Sequence, residues 1–345
     1  MYQQFKNPNS SQLFQIGQRR TKPSTGDVLD TYTLRISVLE QCHYRCPYCM
    51  PGATKAFMPK SKWLDAAGHS LLAQGFNWLP IEKIRFTGGE PLLRQDLPDI
   101  LAAWHEALPE AALALTTNGD KLKGREAALQ AAGLTQLTFH LDTLRPERYG
   151  ALMGPGSLKE VLNSLETAKG YFLTIKINMV LQKGLNDDEV FDFLRFAKKH
   201  DVQVRFIELM DTGSAPAHVQ KTFLSQQDLL KRIEKDQPVT ALGRANPADP
   251  AAIFELPNTG FSFGMIASDT EPFCEDCNRL RLSADGMLRG CLYEPQGVPL
   301  KAMLDKKLPI TDLKDKIRSV VMQKSSFHPA VGRQRVPFSM AQVGG

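Results

Sequence analysis

Six short segments alternate hydrophobic and polar residues with a period of two, and amphipathic stretches of helical length lie between them. The segments are 32–39 (YTLRISVL), 83–88 (KIRFTG), 112–117 (ALALTT), 136–142 (QLTFHLD), 174–181 (TIKINMVL) and 202–209 (VQVRFIEL). Helical stretches include 96–107, 121–132, 157–169 and 187–200. Strand followed by helix, repeated, predicts βα units and a parallel sheet. Strands of a parallel sheet covered on both faces are hydrophobic nearly throughout. These alternate instead. Thr33, Arg35 and Ser37 share one face, and Leu34, Ile36 and Val38 share the other. Lys83, Arg85 and Thr87 oppose Ile84 and Phe86; Thr138, His140 and Asp142 oppose Leu137, Phe139 and Leu141. Lys176 and Asn178 oppose Ile175, Ile177 and Met179. Half-exposed antiparallel strands would show the same alternation, but the helical spacers argue against them. The expected fold is α/β, with a parallel sheet curled around a polar cavity and apolar against its outer helices. In such barrels chemistry sits at the C-terminal strand ends. Cys42 follows the first strand and TGGEP (87–91) follows the second.

From about residue 225 the pattern weakens, and 236–260, rich in Pro and Ala, reads as a linker or irregular excursion. The expected organisation is an N-terminal arm over 1–30, a barrel over 31–235, a C-terminal subdomain over 236–325 and a tail over 326–345 that ends in Gly344-Gly345. The 345 residues are 42% hydrophobic and 23% charged, enough apolar material for a large core. The N-terminus carries no apolar leader, and no run of about 18 apolar residues occurs, so a cytoplasmic protein without a membrane span is expected. The net charge of +5 permits an anionic ligand and does not call for nucleic acid.

The cysteines change the picture most. Cys42, Cys46 and Cys49 form one triple with x3-x2 spacing; Cys274, Cys277 and Cys291 form another with x2-x13 spacing, and none is left over. In a reducing cytosol such clusters point to metal or redox chemistry rather than disulfides. A structural zinc takes four protein ligands, and a triple could recruit a histidine for it. A 4Fe–4S cluster held by three cysteines keeps one iron open for a small molecule. Two triples with no spare thiol fit two such clusters.

Cys-x3-Cys-x2-Cys with Tyr48 before the last cysteine resembles the radical S-adenosylmethionine superfamily, and TGGEP on the next strand adds to the match. The resemblance implies that the open iron chelates S-adenosylmethionine and that Gly88, Gly89 and Glu90 lie at its methionine end. PFCEDCNRLRLSADGMLRGCL further resembles the C-terminal signature of the GTP 3′,8-cyclase family of molybdenum cofactor biosynthesis. So do LRISVLEQCHYRCPYCMP, IRFTGGEPLLR, TTNG, LDTLRPERY, INMVLQKGLNDDE, RFIELMD and the final Gly344-Gly345; the likeness runs from about residue 31 to the end.

That family implies an incomplete (βα)6-type barrel of the radical SAM class with a C-terminal subdomain carrying a second 4Fe–4S cluster. It implies GTP contacts at Arg35, Arg85, Thr116, Lys176, Arg279 and Arg281, and cofactor contacts at Tyr48, Gly89 and Met210. Arg35, Arg279, Arg281, Gly344 and Gly345 are its expected catalytic positions. His140 stands where relatives carry a cofactor-contacting Ser, and beside the cationic sulfonium of a bound cofactor a neutral ring is expected. An electron donor such as flavodoxin or ferredoxin and a downstream cyclic pyranopterin monophosphate synthase are the implied partners; a homodimer is compatible. Physical chemistry agrees on the arginines: about four charges of GTP in a low-dielectric cavity must be neutralised, and the guanidinium fork pairs phosphate oxygens. Arg279 and Arg281 alternate with Leu280 and Leu282, so an extended backbone aims both the same way. The competing reading is an exposed edge strand with its arginines in water. Glu208 fits either proton transfer or pairing with an interior arginine, Met210 would ordinarily be core, and His43 has no assigned role. A radical enzyme that modifies a peptide, with an auxiliary cluster for electron transfer, is the nearest rival. A non-catalytic zinc or iron–sulfur scaffold is another.

Overall fold

The structure is a computed structural model, and it describes residues 29–50, 57–210, 215–294 and 296–324. The arm up to residue 28 and the tail with Gly344-Gly345 therefore lie outside the described residues. The chain starts with β1 (Tyr32–Ser37), α1 (Ala66–Phe76), β2 (Ile81–Thr87), α2 (Leu97–Ala107), β3 (Ala112–Thr117) and α3 (Glu126–Ala131). It continues through β4 (Leu134–His140), α4 (Pro146–Met153), α5 (Leu158–Ala168), β5 (Thr174–Val180), α6 (Val190–His200) and β6 (Gln203–Ile207). Each expected strand and helix is present near its expected bounds, except that the helix expected over 121–132 forms only as the six-residue α3; α1 and α4 are additional.

Local chemistry explains the helix starts. Asp65 accepts from the Gly68 N–H at the head of α1, and Ser157 accepts from Glu160 N–H at the head of α5. Pro146 opens α4, where its missing N–H costs nothing. The alternation also resolves as expected. Leu34, Ile36, Ile84, Phe86, Leu137, Phe139, Ile177 and Phe206 are fully buried on the helix-facing side. Thr33, Arg35, Lys83, Arg85, Thr116, His140, Lys176, Asn178 and Arg205 line a cavity on the other side.

The C-terminal part is less irregular than its sequence implies. α7 (Pro216–Thr222) and α8 (Gln226–Glu234) precede β7 (Thr240–Gly243), β8 (Ala252–Leu256) and β9 (Phe261–Ile266). Then come β10 (Arg279–Leu282), β11 (Met287–Arg289), β12 (Val298–Pro299), α9 (Leu300–Asp305) and α10 (Ile310–Lys324). The segment 236–260 is thus no simple linker: it supplies β7 and β8, an antiparallel pair that continues onto β9.

Among the described residues one sheet holds every strand, in the order β12-β11-β10-β1-β2-β3-β4-β5-β6-β9-β8-β7, and it does not close on itself. β10, β1 to β6 and β9 run parallel; the pairs at each end are antiparallel. The late strand β10 therefore flanks the first strand, and β9 flanks the sixth. The edge-strand reading of RLRL is excluded, because β10 lies between β1 and β11 with Leu280 and Leu282 fully buried. Long-range pairing of this kind is fixed by matching polar and apolar faces rather than by any local signal.

Candidate active site

Strand register assembles a row of cations. Arg281, Arg35 and Arg85 stand side by side across β10, β1 and β2, and Arg289 pairs with Arg281 from β11. Neighbouring strands are about 4.8 Å apart, and like charges directly opposite one another destabilise a sheet. Burial, reinforced by Arg281 and its neighbours, holds Arg35 well below the usual guanidinium range. Burial likewise lowers Arg85 to about 10, Arg281 to about 10 and Arg205 to about 9. Lys176, buried and repelled by Arg205, Lys83 and Arg85, falls to about 7.

Arg85, Arg205 and Arg279 are held by neutral groups. Arg85 donates to the hydroxyls of Thr116 at 3.2 Å and Thr138 at 3.1 Å. Arg205 donates from Nε to Asn178 Oδ1 at 2.9 Å and reaches Thr138 at 3.5 Å. Asp249, in the loop between β7 and β8, is a carboxylate whose charge acts on Lys83, Lys176, Arg205 and Arg279. Arg279 is fixed by stacking over Phe273 at 4.3 Å and by donating to the Ala248 carbonyl at 2.6 Å. Buried cations at such density cost free energy, and an entering polyanion reverses the sign. Thr116, Lys176, Arg35, Arg85, Arg279 and Arg281 thus share one cavity of about 610 Å³. Arg205 and Lys83 join them there; strand parity along VQVRFIEL could have found Arg205, and nothing local could have found Asp249.

The cysteines fall at two ends of this cavity. Cys42, Cys46 and Cys49 follow the C-terminal end of β1. Cys277 precedes β10, which runs parallel to β1 with Arg279 opposite Thr33. Cys291 comes two residues past the Arg289–Arg281 pair on an antiparallel strand, so it returns to the same N-terminal end. At about 3.3 Å per residue, roughly 13 Å of strand between Thr33 and Ser37 separates the ends. The six cysteines hence form two sites of three, both on the wall of the cavity.

Burial pushes the Cys42 thiol up to about 12 and Cys49 up to about 11, and Cys46 rises well above its ordinary value. Thiols so buried keep their protons unless a metal ion replaces them. Cys277 differs. Burial pushes it up, but Lys324, Arg279 and a backbone hydrogen bond together bring it below its ordinary value. Three soft ligands on each site suit iron–sulfur chemistry, so the residues fit such groups.

The glycines of TGGEP serve backbone packing. Gly89 N–H donates to Leu39 O and Glu90 N–H to Gln41 O, both at 2.8 Å. A Cβ on Gly89 would lie 2.2 Å from Gln41 O and 2.4 Å from Glu40 O. Gly88, at φ +157°, would clash with Leu39 O at 2.5 Å. The segment is thereby pressed against the chain leading into Cys42, and both glycines border the cavity. The Glu90 carboxylate accepts from Leu92 N–H, Thr117 Oγ1 and Asn118 N–H, tying the end of β2 to the end of β3. Burial, partly offset by these donors, raises it to about 7.

His140 extends from the end of β4 to the cysteine loop. Its Nε2 lies 2.5 Å from the Tyr48 hydroxyl and 3.2 Å from Asp142 Oδ2, and Tyr48 itself donates to Asp142 at 2.9 Å. Asp142 Oδ1 accepts from Val180 N–H, which anchors the trio to β5. Burial disfavours the charged ring, but the Asp142 carboxylate outweighs it and leaves His140 above its ordinary value. The neutral ring expected from sequence belongs to the site with its sulfonium cofactor bound; in the ligand-free protein the carboxylate two residues on favours the charged form. Cys46 lies close by, its sulfur within 4.8 Å of ligand atoms on His140 and Asp142.

Of the open residues, Glu208 is structural. It accepts from Gln226 N–H at 2.7 Å and from Thr270, so it anchors the start of α8 and pairs with no arginine through any of these bonds. Met210 lines the cavity rather than the core. His43 pairs with Asp120 at 3.0 Å.

Comparison with known proteins agrees with this construction. A model described as the Radical SAM superfamily matches residues 36–197, and one described as Molybdenum Cofactor Synthesis C matches residues 202–329. The chain is 40% identical over 274 residues to "GTP 3′,8-cyclase 3" of Mycobacterium tuberculosis, covering 78% of this chain and 72% of that one. It is 40% identical to the GTP 3′,8-cyclase of Aquifex aeolicus, covering 79% and 86%. With that of Tolumonas auensis it shares 37% over 314 residues, covering 90% and 93%. Among solved structures, Streptococcus suis SuiB bound to S-adenosylmethionine superposes with a TM-score of 0.56 at 12% identity, covering 84% of this chain and 68% of that one. That likeness shows a shared fold alone. Identity at this level over nearly the full length of the Tolumonas protein places the chain in the GTP 3′,8-cyclase family.

Proposed function

We propose that the protein converts GTP to (8S)-3′,8-cyclo-7,8-dihydroguanosine 5′-triphosphate, the first step of molybdenum cofactor biosynthesis. The observation that carries this is the cation-lined cavity with a cysteine triple at each end. Its relatives bear the name GTP 3′,8-cyclase. Cys42, Cys46 and Cys49 would hold one 4Fe–4S cluster, with Tyr48, Gly88, Gly89, Glu90, His140 and Met210 around S-adenosylmethionine. Cys274, Cys277 and Cys291 would hold a second cluster at the guanine end. When bound, the first cluster and its cofactor supply a 5′-deoxyadenosyl radical, a hydrogen-atom acceptor for C3′ of the ribose.

The chain's own residues do the rest by binding and orienting. Arg35, Arg85, Lys176, Arg279 and Arg281 neutralise the triphosphate, with Arg205 and Lys83 beside them. Thr116 and Thr138 fix the Arg85 fork through its Nη1. Fixed sugar and base let the C3′ carbon meet C8, which is a matter of orientation. A donor such as flavodoxin or ferredoxin would supply two electrons, one for cofactor cleavage and one that, with a proton, completes the cyclic dihydronucleotide, which would pass to a cyclic pyranopterin monophosphate synthase. The division into 1–30, 31–235, 236–325 and 326–345 belongs to the same proposal, with Gly344-Gly345 reaching the substrate. Among the described residues no helix is long and apolar enough to cross a membrane; the proposed location is the cytoplasm.

Lys176 gives a direct test. In the free protein its ammonium titrates near 7, because burial and the neighbouring cations oppose the charge. A bound triphosphate favours that charge and raises the value. Between the free and bound values, binding therefore takes up a proton, and affinity falls as pH climbs from about 7. Calorimetry at pH 8 in two buffers of different ionisation enthalpy should give different apparent heats for GTP, and Lys176→Met should abolish most of the difference. Equal heats in both buffers for the wild type would remove Lys176 from the phosphate site.

A further inference from the structure

Lys324, in the last turn of α10, sits outside every motif considered so far. A lysine there ordinarily interacts with the terminal carbonyls of its own helix. This one reaches away from the helix. Its Nζ lies 3.6 Å from Cys277 Sγ and 2.8 Å from the Gly290 carbonyl oxygen. Gly290 directly precedes Cys291, so one ammonium touches both chain segments that carry the second cysteine triple.

The anchor is well packed. α10 buries Leu313, Ile317, Val320 and Val321, and it packs closely on α1. Gly75 of α1 makes room: a Cβ there would lie 2.7 Å from Leu313 Cδ2. Gly290 is held from its other side by donating its N–H to Glu294 Oε2 at 2.7 Å. The loop around the first triple is built differently. Arg45 stands in that loop, but it donates to the carbonyl oxygens of Cys42 and Tyr44 rather than to sulfur.

We infer that Lys324 is a positioning residue for the second cluster, joining the Cys277 and Cys291 segments and donating a charged N–H···S hydrogen bond to the Cys277 thiolate. This rests on the reading that the second triple holds a 4Fe–4S cluster. Its consequence is electrostatic. Reduction adds one negative charge to a cluster, and a cation donating to a ligand sulfur stabilises that form more than the oxidised one. Lys324 therefore raises the reduction potential at the guanine end of the cavity.

The test uses the full-length, reconstituted protein. Iron is counted, and potentials are read by an anaerobic redox titration followed by electron paramagnetic resonance. The signal that responds to S-adenosylmethionine belongs to the first triple and serves as the internal control. In Lys324→Met the other signal should move to lower potential by at least about 59 mV, a tenfold change in the reduced-to-oxidised ratio for one electron. Lys324→Arg, which keeps charge and donors, should lie near the wild type. Should Lys324→Met lose half its iron at an unchanged melting temperature while Lys324→Arg keeps it, the joining role is supported directly. A Lys324→Met protein with full iron and an unmoved second potential overturns the inference. A wild type that takes up only four irons defeats the underlying reading instead, and the two failures are told apart by the wild-type iron count.

Discussion

A chain with Cys42, Cys46 and Cys49 all replaced by alanine will keep half its reconstituted iron and form no 5′-deoxyadenosine. A chain with Cys274, Cys277 and Cys291 replaced will also keep half, but it will still cleave S-adenosylmethionine without cyclising GTP. The register is the reason for expecting independence. The triples sit at opposite ends of parallel β1 and β10, so neither set borrows a ligand from the other. Cys46 is buried and Cys42 and Cys49 are partly so, and desolvation favours the protonated thiol at all three in the metal-free chain. Removing one set leaves the other's ligands and surroundings intact. The wild type should therefore take up about eight irons per chain. Loss of all iron from either variant would mean one shared site, and a preparation that binds zinc and no iron would remove the redox reading altogether.

Arg85→Met will weaken GTP binding about ten- to a hundredfold while leaving the nucleotide-free protein as stable or more so. The guanidinium is held by two threonine hydroxyls, stands beside Arg35 in the sheet and is repelled by Arg279. Its lowering from 12.5 to about 10 opposes folding at neutral pH by an amount on the order of 3 kcal/mol. The sign is that of a cation whose folded value is depressed: the penalty is fully present below about 10 and fades as pH rises through it. Replacing the charge with an unbranched apolar chain relieves that penalty. With GTP present, the same replacement deletes a charged hydrogen bond worth roughly 1.5–3 kcal/mol. Opposite movements of affinity and melting temperature identify a ligand-directed cation. A variant that loses stability and binding together would make Arg85 a structural residue.

Much of this site was legible because parity in a strand is strict. Thr33, Arg35, Lys83, Arg85, His140, Lys176 and Asn178 all fall on the cavity wall where alternation places them. The same rule applied to the sixth strand would have added Arg205. Register across distant strands was not legible. Nothing in RLRL says that it lies beside β1, and only that pairing aligns Arg281 with Arg35 and sets the cysteine triples apart. The segment 236–260 reads as a linker or irregular excursion because Pro and Ala carry no periodic signal, although it supplies β7 and β8 and brings Ala248 and Asp249 to the cations. The role of TGGEP was half visible: the glycines mark a close approach, but the partner is the backbone at 39–41. Lys324 was invisible, since a lysine on an amphipathic helix ordinarily faces water.

The most direct test of the account is anaerobic turnover of the reconstituted protein with a reductant, S-adenosylmethionine and GTP deuterated at C3′. The account predicts 5′-deoxyadenosine carrying one deuterium and, in matching amount, a nucleotide cyclised between C3′ and C8. Cofactor cleavage that leaves the deuterium on unchanged GTP would contradict it and favour an enzyme that acts on another substrate, such as a peptide.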